Sequence, residues 1–166
     1  MKKGKILSKF IIILLVLLFG NVNIFSQSIS PESIVDLSFK HTIKKTAEGK
    51  KINIDIILNI KKSWHVNANK PSGESLMPTV IKFDKSEGFA VREIIYPLAK
   101  MVKLPFSNYE LALYETQAKI KSVLFVDKKF TGKKLNVTGT LQYQPCNDQT
   151  CLFPVSKPFS ISVKLR

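Results

Sequence analysis

Cys146 and Cys151 are the only cysteines in the 166-residue chain. Both lie within Tyr143-Gln144-Pro145-Cys146-Asn147-Asp148-Gln149-Thr150-Cys151-Leu152-Phe153-Pro154, with four residues between them. Positions i and i+5 across a tight hairpin can bring two Cα atoms within the ~4.4–6.8 Å that a disulfide needs, and an oxidising compartment would close the bond. Cross-link stabilisation grows with loop length, reaching ~3 kcal/mol at about 15 residues. So short a loop therefore constrains the unfolded chain only weakly. Three readings stay open on spacing. The pair is a reversible dithiol/disulfide, a structural staple of the kind common in exported domains, or half of a metal site. A Cys2His2 zinc set would have to recruit His41 and His65. Neither histidine has a partner at ligand spacing. His41 ends an alternating strand and reads as exposed, and His65, between Trp64 and Val66, reads as a hydrogen-bonded structural histidine. No metal is expected. A serine hydrolase is not expected either, because no nucleophile elbow occurs.

The elements that must hold the pair are strands. Ile52, Ile54, Ile56, Leu58 and Ile60 alternate with polar residues, broken only by Ile57. Leu135, Val137, Leu141 and Tyr143 alternate in the same way through Gln144, as do Phe159, Ile161, Val163 and Leu165. Strict alternation places one set of side chains on each face of a strand. Further strands are expected over Val35–His41, Thr79–Phe83, Phe89–Tyr96 and Lys119–Val126. Turns are expected at Ala47–Lys50, where Gly49 can adopt positive φ, at Asp84–Gly88 and at Asp127–Gly132. About seven short strands and no run of helical period predict an all-β, immunoglobulin-like antiparallel β-sandwich. The cysteine segment joins two of the strongest strands, so it forms a hairpin end. Trp64–Met77 and Pro97–Glu110 read as irregular loops, where function tends to sit on a rigid sandwich.

The N-terminus sets the compartment. Lys2, Lys3, Lys5 and Lys9 precede an unbroken apolar run, Ile11–Phe19, which is too short to span a bilayer. This is the pattern of a secretory signal peptide, expected over residues 1–27 with cleavage near Ser26–Ser28; the alternative is an uncleaved anchor. Residues 28–166 then form the mature domain. No Cys lies just after the apolar run, so a lipid-modified N-terminus is not expected. The formal charge of +14 comes from 26 basic against 12 acidic residues. Removing those four lysines and no acid leaves about +10. The remaining lysines are scattered and no basic stripe is interleaved with aromatics, so nucleic acid is not an expected partner.

Three stretches taken together resemble a known family: Trp64-His65-Val66-Asn67-Ala68-Asn69-Lys70-Pro71, then Leu113-Tyr114-Glu115, then Tyr143 through Pro154. In order and spacing they are similar to the periplasmic N-terminal domain of DsbD-type thiol:disulfide interchange proteins, the disulfide bond corrector family. The likeness runs from about Pro31 to Arg166, and the Tyr-x-x-Cys…Cys-x-x-Pro segment is its specific part. The resemblance implies an immunoglobulin-like sandwich with a redox-active cysteine hairpin. It implies thiol–disulfide exchange without a cofactor. Electrons would come from a thioredoxin-like domain fed by a membrane electron conduit, and would go to periplasmic thioredoxin-fold proteins, including disulfide isomerases and cytochrome c maturation factors. Cys151 would form the mixed disulfide and Cys146 would resolve it. A cap loop would shield the cysteines; here it corresponds to Lys103–Tyr109, with Phe106 as the shielding aromatic and Tyr109 second. Asp148 and Tyr143 complete the candidate contact residues.

Three departures from the family pattern matter. Its acidic pair ahead of the cap aromatic is replaced by Leu104 and Pro105, leaving Glu110 or Asp148 as the nearby acids. The cysteine spacing is one residue shorter. The chain also ends at Arg166 with no membrane block after the last strand, so the donor is expected to be a separate protein and the domain a monomer. The competing reading is a non-enzymatic exported binding sandwich stapled by its disulfide.

Overall fold

The computed structural model describes residues 29–165; the expected signal segment lies outside them. After a 3₁₀ turn at Pro31–Ile34 come β1 (Val35–Thr46), β2 (Gly49–Ile60), β3 (His65–Asn67), β4 (Val80–Phe83), β5 (Ala90–Ile95), β6 (Lys100–Val102), β7 (Leu111–Glu115), β8 (Gln117–Asp127), β9 (Lys134–Tyr143), β10 (Pro145–Cys146) and β11 (Val155–Lys164). One layer has the order β1-β2-β8-β5. The second comprises β11-β9-β4 and β10-β3-β7-β6, linked where β9 runs on into β10. Every pairing of these strands is antiparallel. The fold is an immunoglobulin-like sandwich. Among the described residues no helix is long and apolar enough to cross a membrane.

The alternating strands face each other as their patterns require. Ile52, Ile54, Ile56 and Leu58 of β2 and Ile120 and Leu124 of β8 share one core with Val137, Leu141 and Tyr143 of β9 and Ile161 and Val163 of β11. Removing these branched side chains from water is the main driving force for the layers to stack. The β1–β2 turn is the two residues Ala47–Glu48, between paired Thr46 and Gly49. A Cβ on Gly49 would lie 2.1 Å from the Val126 carbonyl oxygen, which makes glycine necessary there.

Four strands fall in stretches with no readable alternation. β3 and β6 lie inside the two stretches expected to be loops, β10 has two residues, and Leu111 to Tyr114 of β7 are buried on both faces. A strand covered on both sides shows no period of two. Two backbone kinks connect the layers. Ser63 (φ 66°) precedes β3, and Thr116 (φ 56°) separates β7 from β8. Left-handed backbone at a β-branched residue is rare. At Thr116 it lets one run of chain leave the second layer and enter the first, with the Thr116 carbonyl accepting from Ile60 N at 2.8 Å.

Candidate functional site

The second layer ends in the cysteine hairpin. Asn147 N donates to Thr150 O at 2.9 Å, and Leu152 N donates to Pro145 O at 2.8 Å. These bonds flank Cys146 and Cys151, which therefore face each other as a non-hydrogen-bonded antiparallel pair, the closer of the two pair types. They form a disulfide with the Cα atoms 3.9 Å apart. That is nearer than the range expected from spacing, because the ladder draws the two arms together. Asn147 Oδ1 accepts from Gln149 N and Thr150 N, both at 2.9 Å, which fixes the turn. Cys146 is wholly buried at 0% exposure, whereas Cys151 is partly exposed, with Phe153 beside it at 86%.

β10 is held by β3, and β3 by β7. The register places Cys146 opposite His65 and His65 opposite Glu115. Val66, Ala68, Ala112 and Tyr114 point into the main core, so the alternate residues Cys146, His65 and Glu115 form a row on the outer face. His65 Nδ1 lies 3.2 Å from Glu115 Oε1 and His65 Nε2 lies 3.6 Å from Asp148 Oδ1. The Nδ1 contact is electrostatic, not an aligned hydrogen bond. Lys100 Nζ donates to Glu115 Oε2 at 2.9 Å. That bond outweighs the opposing effect of burial and, helped by the lysine's charge and the nearby His65, lowers the Glu115 carboxyl below its ordinary range.

Farther along the same face, Leu113 and Leu111 stand two and four residues from Glu115, about 7 and 13 Å along the strand. They form a small apolar cluster with Leu104, Leu76 and Val102. Leu104 is buried in this cluster, while Pro105 and Glu110 are exposed. The Lys103–Tyr109 stretch thus folds, through Leu104, onto the face that carries the cysteine row. Phe106 is 44% exposed at its tip, so it is not a core side chain. Tyr109 packs on Gly73, where a Cβ would lie 2.5 Å from its hydroxyl.

Two candidates fall elsewhere. Tyr143 does not reach the surface. It continues the inward set of β9 and is fully buried, and its hydroxyl donates to the carbonyls of Pro31 (3.2 Å) and Glu32 (3.3 Å). Burial, reinforced by the Glu32 and Asp36 carboxylates, pushes it up to about 12. It anchors the N-terminal turn from inside the core, whereas the sequence offers it as a contact residue. His41 stands exposed on β1, in the other layer from His65, so the two histidines do not converge on the cysteines.

Sequence reasoning missed Gln144, at the β9–β10 junction. Its Oε1 accepts from Asn67 Nδ2 and Met77 N, both at 3.0 Å, and its Nε2 donates to Leu152 O at 3.2 Å. One side chain thereby ties the hairpin's returning arm to the loop after β3. Alternation marked Gln144 only as facing away from the core.

The family model described as thiol:disulfide interchange protein DsbD, N-terminal, matches residues 35–162. The chain belongs to this DsbD N-terminal family. Among solved structures it is similar to the N-terminal periplasmic domain of ScsB from Proteus mirabilis, with a TM-score of 0.53, 16% identity, and coverage of 83% of this chain and 49% of that one. It spans about half the length of that structure. It is also similar to the reduced DsbD N-terminal domain of Neisseria meningitidis, with a TM-score of 0.47, 18% identity, and coverage of 82% and 90% respectively. No curated protein sequence matches significantly. The DsbD N-terminal relationship assigns the cysteine pair to a thiol–disulfide exchange module.

Proposed function

We propose that the protein is a periplasmic thiol–disulfide oxidoreductase module. Cys146 and Cys151 carry reducing equivalents between thioredoxin-fold partners. The observation that supports this most directly is the unequal exposure of the two sulfurs. Exchange needs a thiolate to reach one sulfur in line with the bond that breaks. Cys151 is approachable and Cys146 is not, so the partner bond forms at Cys151. In the reducing direction the Cys151 thiolate attacks an acceptor disulfide. Cys146 then attacks Cys151 Sγ, the pair closes, and the acceptor leaves reduced with two electrons. A thioredoxin-like donor fed by a membrane electron conduit reopens the pair. Disulfide isomerases and cytochrome c maturation factors are the acceptors.

Residues 1–27 direct export, and residues 28–166 work as a monomeric domain. Phe106, with Tyr109 as the second candidate, shields the pair until a partner displaces the loop. The periplasmic assignment draws on the basic-then-apolar N-terminus and on the periplasmic relative from Proteus mirabilis.

A Cys146→Ser variant cannot resolve the mixed disulfide. Expressed in its native cell envelope, it is expected to accumulate adducts through Cys151 that dissolve in reductant and contain thioredoxin-fold proteins. If no such adduct forms, and if replacing both cysteines by serine leaves cells unchanged, the bond is a staple and the exchange reading fails.

A further inference from the structure

Each turn of the exchange proposed above changes the protonation of Cys146. When the disulfide opens, Cys146 Sγ departs with the bonding electron pair. When it closes, the Cys146 thiol must first lose its proton. Cys146 is fully buried, and a buried thiolate without compensation is costly. Its cross-strand neighbour is His65. The two share one sheet face, and directly opposed residues hold their Cβ atoms about 4.5–5.5 Å apart. Histidine is the side chain whose ordinary titration falls between about pH 5 and 8.

The groups that face the ring are Glu115 from β7, with Lys100 of β6 behind it, and Asp148 from the hairpin turn. His65 itself is 13% exposed, but Asp148 is 71% exposed and borders solvent. A carboxylate therefore faces each ring nitrogen, one anchored in the sheet and one open to water.

We propose that His65 is the proton-transfer partner of Cys146, with Glu115 and Asp148 as positioning residues. The proposal rests on the exchange reading. On opening, an incoming thiolate forms a bond to Cys151 Sγ. The Cys146–Cys151 bond breaks, and Cys146 Sγ receives a proton from the His65 imidazolium. On closing, neutral His65 takes the Cys146 proton, Cys146 Sγ attacks Cys151 Sγ, and the partner leaves as a thiolate. No reactant beyond the partner's own thiol or disulfide is consumed. Asp148 lets the ring exchange its proton with solvent between half-cycles. The arrangement places a proton acceptor within the sheet although the cap loop carries Leu104 and Pro105.

The test follows two thionitrobenzoate releases when the fully reduced protein reacts with dithiobis(nitrobenzoate) between about pH 5.5 and 8.5. The first release reports attack by Cys151, and the second reports resolution by Cys146. In the native protein the second rate should fall by much less than tenfold per pH unit across this range. In His65→Gln and His65→Asn it should fall about tenfold per pH unit, as for an unassisted thiol, and lie at least tenfold below native near the acid end of this range. The first release should keep its native pH profile. Glu115→Gln keeps the ring but removes a neighbouring carboxylate, so the native profile should shift to lower pH. Second-phase profiles of the His65 variants that superimpose on the native one overturn the proposal. Should those variants not fold, an unmoved profile in Glu115→Gln overturns it. A native protein that never releases the second equivalent instead overturns the exchange reading itself.

Discussion

The second layer contains two regions built on opposite plans. In β11-β9-β4, ten residues of β9 pair with ten of β11 without interruption, and the inward side chains are apolar except Lys157, whose Nζ donates to the Glu32 and Val35 carbonyls. In β10-β3-β7-β6 no strand exceeds five residues, and the outer face carries Cys146, His65, Glu115 and Lys100. The first region is held by alternating burial. The second buries β7 on both faces, but its short flanking strands β3 and β10 and the loop after β3 are held by single side-chain clamps. Gln144 binds Asn67, Met77 and Leu152; Ser72 Oγ accepts from Ala112 N at 2.8 Å; Thr79 Oγ1 donates to the Asn67 carbonyl. Regions held by few apolar contacts open at lower free energy than the core. Under the exchange proposed above, a site that admits a partner's sulfur belongs in the second kind of region, mounted on the first.

That contrast can be broken experimentally. Leu141→Ala removes a fully buried side chain from the long ladder and should cost about 2–5 kcal/mol in denaturant unfolding, while Cys151 in the folded protein keeps its rate with a small disulfide. A matching change in that rate would show that the regions are not separable. Gln144→Ala should cost less globally, about 1–2 kcal/mol. Its larger effect should be local, with faster hydrogen exchange at the Met77 and Leu152 amides and unchanged exchange along β9 and β11. Uniform acceleration would contradict the clamp's local role.

The smallest effect concerns acid. The Glu115 carboxyl is lowered in the folded state from an ordinary value of 4.5. Its contribution is therefore present above about pH 4.5 and is lost as pH falls through the depressed folded value. Glu115→Gln should flatten that part of the acid unfolding curve and leave neutral pH nearly untouched. An unaltered acid slope would mean that the Lys100–Glu115 pair adds nothing to folding.

The same contrast explains what could be read from sequence. β2, β8, β9 and β11 announced themselves because one face of each is buried and the other wet. β7 did not, since Leu111 and Leu113 lie under the cap stretch while Ala112 and Tyr114 lie in the core. Tyr143 was misplaced although alternation already put it on the inward face, because its position in the cysteine motif outweighed its period. The cysteine pair was plain from spacing, but its asymmetric burial depends on the β10–β3 register. His65 read only as a hydrogen-bonded structural histidine for the same reason. Its neighbours Glu115, Asp148 and Cys146 are distant in sequence and meet only through pairings that no local pattern encodes.

β9 passes into β10 with only Gln144 between them, and Cys146 is the last residue of that continuous run. The inner sulfur is thus welded to the stiffest rib of the molecule, while the outer one hangs from the returning arm. Any tug delivered through a bound partner would be felt first by that arm, from Leu152 to Pro154, and by the tether at Gln144. The sandwich beneath would move as one piece, and reorientation between partners would fall to whatever joins the domain to its surroundings.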